Sequence, residues 1–131
     1  MISMAMLAMT AVPAAVAPLR GDFDHDGRPD VVRIEEGANG KFRLRISRGV
    51  DRLHPMTLLS GVGAPEFLEA APKSGRFQTA CGKGYYGFET GRCSRDWVRI
   101  RKGDLIFGYE GSSEAVALWN GKRFVVEWLS D

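Results

Sequence analysis

Ten residues near the start of the chain, Gly21-Asp22-Phe23-Asp24-His25-Asp26-Gly27-Arg28-Pro29-Asp30, restrict what it can fold into more than any other stretch. Four carboxylates fall within nine residues, and like charges that close repel one another unless a cation lies among them. In an oxygen-ligand calcium loop the first, third and fifth residues turn carboxylates inward. The sixth is a glycine that makes the sharp turn, the seventh offers its backbone carbonyl, and the ninth adds another side-chain oxygen. Those roles fall on Asp22, Asp24, Asp26, Gly27, Arg28 and Asp30. A solvated Asp/Gly/Pro turn has the same composition. The spacing nevertheless matches at every position through the ninth, so the expected occupant is Ca2+.

The loop is not an EF-hand, which needs a Glu at position twelve and a helix on each side. Position twelve is Arg33, and Val31-Val32-Arg33-Ile34 reads as a strand. The run from Gly21 to Ile34 instead resembles the calcium loop of FG-GAP (VCBS-type) repeats, where a G-D-F-x-x-D-G-x-x-D loop runs directly into a β-strand. The resemblance covers roughly Gly21 to Gly49. It implies a calcium loop on an extracytoplasmic β module of the kind used for adhesion or for binding carbohydrate and protein. A propeller needs several four-stranded blades, whereas this chain carries one copy of the motif, so the expectation is a single calcium-loop hairpin set into a compact domain. The closing stretch, Gly103 to Asp131, also looks like the C-terminal end of small secreted bacterial proteins that carry such a loop.

Strand patterns dominate the rest. Residues 31–36 form a first strand, and Gly37-Ala38-Asn39-Gly40 is a turn by composition. Residues 41–48 alternate strictly, with Phe42, Leu44 and Ile46 on one face and Lys41, Arg43, Arg45 and Ser47 on the other. Residues 49–55 read as a connection and 56–59 as a short apolar segment. Residues 66–71 fit a strand or one helical turn, and 76–80 a strand or a turn. Further strands are expected at 97–101, 105–110, 113–119 and 123–129. The last two flank Asn120-Gly121, the strongest short-range hairpin signal here, which should bring Val116, Leu118 or Trp119 near Phe124, Val126 or Trp128. No helix longer than two turns is supported after residue 20. The fold class is therefore all-β, a small antiparallel sandwich, roll or barrel.

Compartment follows from the first seventeen residues and the cysteines. Residues 1–17 are uncharged and apolar and end in Ala15-Val16-Ala17, the pattern of a signal peptide, while Pro13 and Pro18 bracket a run too short to span a bilayer. This leaves 18–131 as one β domain without a transmembrane segment, periplasmic or secreted. In that setting Cys81 and Cys93, the two cysteines of the chain, are expected to pair and close an eleven-residue loop. A disulfide there would stabilise the fold by roughly 2–4 kcal/mol.

A net charge of +2 is too small to argue for nucleic acid. Arg43, Arg45, Arg48, Arg99 and Arg101 would make a basic stripe for phosphates, sulfated glycans or lipid A if their strands were neighbours; a solvated face paired to acids such as Glu35 is the favoured alternative. Tyr85, Tyr86 and Phe88, inside the cysteine-closed loop, offer either a binding surface for an envelope protein or glycan or a cap over the end of the fold. No catalytic residues stand out. The two histidines are His25 and His54, and alternation within the loop turns His25 outward. The expectation is an exported calcium-binding module with a structural or binding role and no catalytic one. A periplasmic inhibitor or accessory protein acting through residues 81–93 is the alternative, and a small hydrolase the minor one.

Overall fold

Alternating residues pack one face of a strand and expose the other, and this decides the first sheet. In the computed structural model, which describes residues 16–84 and 95–130, β1 (Leu19–Gly21), β2 (Asp30–Glu36), β3 (Phe42–Arg48) and β4 (Asp51–Val62) form an antiparallel meander in chain order. Val32 lies opposite Ile46 and Ile34 opposite Leu44, so the apolar residues of β2 and β3 share the inner face. Arg33 faces Arg45 and Glu35 faces Arg43 on the outer one.

Six more strands follow: β5 (Phe67–Ala70), β6 (Gly75–Gln78), β7 (Trp97–Ile100), β8 (Leu105–Gly108), β9 (Glu114–Trp119) and β10 (Phe124–Ser130). A second antiparallel sheet takes the order β10-β9-β8-β5, and β6 pairs with β7 in a separate ribbon. Phe23, Val32, Leu44 and Ile46 from the first sheet and its loop pack against Leu105, Phe107, Ala115 and Ala117 of the second. The other face of the second sheet is covered as well: Ile106, Val116 and Leu129 pack with Ala71, Val98 and Ile100. The register explains this double burial. Leu105 pairs with Ala117 and Phe107 with Ala115 toward one layer, while Ile106 pairs with Val116 toward the other. Each fully buried Leu, Ile or Phe contributes about 1.5–3 kcal/mol, so both interfaces of this middle sheet matter to stability.

The all-β expectation holds, as a sandwich of two open sheets with a ribbon laid over the second. Residues 49–55 were expected to be a connection; instead only Gly49 and Val50 turn, and β4 starts at Asp51. The edge position accounts for the difference. Residues 51–54 are all exposed, so no apolar face marks them, and an edge strand accepts Pro55 because its missing N–H can face away from the ladder. Within residues 66–71 the strand alternative holds, as β5 over Phe67–Ala70. The Asn120-Gly121 hairpin forms with a four-residue turn, and Trp119 meets Phe124 with ring centroids 4.9 Å apart. Opposite Val126 and Trp128 stand Ala117 and Ala115, small residues that leave room for the Trp128 ring to meet Phe107 edge-on at 6.1 Å.

Glu127 on β10 lies opposite Val116, with its side chain mostly buried and Arg95 Nε 3.9 Å away. Burial pushes its carboxyl above the usual range, and Arg95 only partly offsets that. The folded state therefore holds the Glu127 proton more tightly than the unfolded chain. Its ionised form weakens the fold above the raised pKa, and this loss disappears in acid, below the unfolded value. Glu127→Gln should raise the melting temperature at neutral pH and leave it unchanged in acid; melting both proteins across that range checks this, and an equal gain at every pH would contradict it.

Candidate metal centre

The acidic loop closes one end of the β1–β2 hairpin, because Gly21 pairs with Asp30 and everything between them must bulge beyond the ladder. Phe23, wholly buried, anchors the middle of the loop in the core between the sheets. Backbone amides then turn inward onto the carboxylates. Asp26 N–H donates to Asp22 Oδ1 at 3.0 Å and Gly27 N–H to Asp22 Oδ2 at 2.8 Å. Arg28 N–H donates to Asp26 Oδ1 at 2.8 Å. Gly27 has φ +87°, a left-handed conformation that glycine adopts without strain.

Asp30 is the most heavily engaged carboxylate. Its Oδ2 accepts from Phe23 N–H at 2.8 Å and Asp24 N–H at 3.2 Å, and its Oδ1 accepts from Gly49 N–H at 2.8 Å. Its side chain has no solvent exposure. Burial raises its pKa above the ordinary carboxylate value; the amides of Gly49, Asp24 and Phe23 pull it down, and the neighbouring Asp24 charge pushes it up again.

Asp22, Asp24 and Asp30 each bring an oxygen within 4.8 Å of the others. Two oxygens facing each other across one calcium ion stand about 4.6–5.2 Å apart, from ligand distances of 2.3–2.6 Å, so the three fit around a single ion of that size. Asp26, expected in the same ring, is exposed and outside this group. The seventh-position role of Arg28 belongs to its backbone carbonyl, and its side chain is exposed.

Arg48 is a participant that the sequence reading placed elsewhere. Along β3 it shares the inner face with Leu44 and Ile46, not the outer face of Arg43 and Arg45. Its Nε donates to Asp24 Oδ2 at 2.7 Å, and its guanidinium lies 4.1 Å from the centroid of the Trp119 ring. One arginine thus joins the acidic loop to the second sheet. Set against three converging carboxylates, its single positive charge leaves two negative charges, which matches a divalent cation.

His25 does not turn outward. Its Nε2 lies 2.6 Å from Oδ1 of the wholly buried Asp104, whose Oδ2 accepts from Arg101 N–H at 2.6 Å. The φ of +58° at His25 swings its side chain out of the alternation and toward the turn before β8. The pair is a second clamp between the loop and the second sheet. No hydroxyl or thiol among the described residues hydrogen-bonds to it.

The expected basic stripe is broken up. β3 pairs with β2 and β4, and β7 pairs with β6, so Arg43 and Arg45 are not strand neighbours of Arg99 and Arg101. Arg43 and Arg45 bind Glu35 at 2.9 and 3.3 Å, as the cross-strand alternative anticipated. Tyr85, Tyr86, Phe88 and Cys93 lie outside the described residues. Cys81 is described, and no described cysteine is free. Among the hollows lined by described residues are one of about 420 Å³ between the ribbon and the second sheet, beside Phe77, Ile100 and Leu129, and one of about 280 Å³ beside Arg95, Arg99 and Trp119.

No family model matches the chain, and neither a curated protein nor a solved structure matches it. The likeness to FG-GAP loops, over roughly residues 21–49, therefore remains an expectation from the sequence.

Two substitutions test this geometry. A Cβ on Gly49 would come 2.5 Å from the Pro29 carbonyl oxygen and 2.8 Å from Arg28 Cβ. Backbone cannot yield cheaply there, so Gly49→Ala should lose roughly 1–3 kcal/mol in denaturant unfolding. Arg48→Ala strips Asp24 of its partner and should cost roughly 1.5–3 kcal/mol, with the loss smaller at high salt because Arg48 still reaches solvent. An unchanged midpoint in either variant would show that the loop does not bear on global stability.

Proposed function

We propose that the chain is an exported β-sandwich module in which a calcium ion, held by Asp22, Asp24 and Asp30 with the Arg28 carbonyl, fixes the β1–β2 hairpin onto the second sheet. The observation that carries this reading is the convergence of three carboxylates, two of them buried, around a space that fits one calcium ion. Burying Asp24 and Asp30 side by side is costly without positive charge nearby, and Arg48 alone leaves the cluster negative. The role assigned to the ion is structural. It lies at the rim of the core, clamped on either side by the Arg48–Asp24 and His25–Asp104 contacts. Export is supported by the apolar segment at 1–17. The module's role is binding or structural; a partner, such as an envelope protein or glycan, would be met elsewhere on its surface.

Thermal melting of the purified domain in calcium and in chelator tests the proposal. A hundredfold excess of calcium over its Kd should add roughly 2.7 kcal/mol, and magnesium, smaller and stricter in geometry, should add less. In an Asp22→Ala, Asp24→Ala variant the calcium effect should vanish. Identical melting of the wild type in both buffers would sink the reading.

A further inference from the structure

The outer face of the first sheet carries charge that the fold does not balance. Register places Arg33 directly opposite Arg45, a like-charge pair that destabilises a sheet when left alone. Glu35 is the one acidic residue that alternation puts on that face of β1, β2 and β3, and it is already shared by Arg43 and Arg45. Arg45 Nε is inaccessible and has no hydrogen-bond partner among the described residues. Beside this pair, Arg20 of β1, Arg33 of β2 and Arg52 of β4 line a cleft of about 190 Å³ together with Ser47 and Val31. None of these three arginines makes an ion pair or side-chain hydrogen bond among the described residues, and no carboxylate lines the cleft.

Three guanidinium groups and a hydroxyl lining one small polar hollow are a set dominated by donors, with no carboxylate to accept from them. Guanidinium presents parallel N–H groups that match two oxygens of a tetrahedral oxyanion. An anion with charge spread over three terminal oxygens suits three such groups better than a planar carboxylate, which offers two. We propose that this cleft binds the terminal phosphate monoester of a small molecule, with Arg20, Arg33 and Arg52 clamping the phosphate and Ser47 donating to it. The site is separate from the calcium proposal: Arg20 and Arg33 lie on the outer face of the hairpin, whereas Asp30 points to the inner one.

Calorimetric titration of the whole chain at fixed ionic strength tests it, using inorganic phosphate, glucose 6-phosphate, unphosphorylated glucose, and vesicles with and without phosphatidate. Glucose 6-phosphate should bind, glucose should not, and inorganic phosphate should compete with the ester. Arg33→Ala should weaken the ester about tenfold or more, since a charge-assisted hydrogen bond contributes 1.5–3 kcal/mol and 1.4 kcal/mol is a factor of ten. Arg33→Lys keeps the charge but loses the paired donors, so it should fall in between. Arg52→Ser, on an exposed edge strand, provides a second variant if Arg33→Ala does not fold, and Arg99→Ala on the separate ribbon should bind as the wild type does. Binding to phosphatidate vesicles alone would assign the face to a lipid surface and overturn the proposal, as would no binding of the ester or equal binding by Arg33→Ala and Arg52→Ser. Repeating the titration in chelator separates this outcome from failure of the calcium reading.

Discussion

Asp30 is the residue on which the geometry of the first sheet depends. Its two oxygens take amide protons from Phe23, Asp24 and Gly49, so one buried carboxylate joins the acidic loop, the first residue of β2 and the β3–β4 turn. A carboxylate without solvent exposure is tolerable only because these amides face it. The same bonds fix where the loop can run: they hold it close enough for Phe23 to reach the core, and they leave no room for a side chain at Gly49. The calcium-like spacing is thus built into the backbone as well as into the carboxylates.

Strand parity then distributes charge across the sheet. From Asp30 onward, even positions of β2 turn inward and odd positions outward, so Asp30 and Val32 are buried while Val31 and Arg33 are not. On β3 the same rule puts Arg48 inward with Leu44 and Ile46 and leaves Arg43 and Arg45 outside. The inner face gathers acid with one arginine as counterion. The outer face gathers arginines with one glutamate. Arg48 does double duty at the rim, compensating Asp24 and covering the Trp119 ring, a cation–π contact that contributes about 0.5–2 kcal/mol depending on desolvation.

What was legible in the sequence follows the same division. Residues 42–48 alternate because one side faces the core, and the Asn120-Gly121 turn carries its own conformational demand, so both could be read directly. β8 and β9 could be recognised as strands but not placed, since a strand covered on both faces loses alternation and says nothing about which layer each residue meets. β4 was missed over residues 51–55 because an exposed edge strand has neither face to mark it. His25 and Arg48 were misplaced for local reasons: a left-handed residue breaks the alternation of the loop, and counting basic residues along β3 without parity merges two opposite faces. The cleft at Arg20, Arg33 and Arg52 needed β1 to β4 in register, and strands over residues 19–21 and 51–55 were not expected.

The two charged faces are held by one hairpin, and this has a thermodynamic consequence. Arg20 lies next to Gly21, the partner of Asp30, and Arg33 lies three residues beyond Asp30. Anything that orders the loop also fixes the separation of these two guanidinium groups, and a phosphate that clamps them resists fraying of the same β1–β2 pairing. A cation on the inner face also offsets part of the charge that an anion brings to the outer one. Both effects have the same sign, so the free energy of binding two such ligands together is more favourable than the sum of binding each alone, and linkage requires each to tighten the other by the same factor. The strength of that coupling depends on how far the loop is already ordered by Arg48 and His25: the better those two clamps hold the hairpin without an ion, the less either ligand can gain from the other.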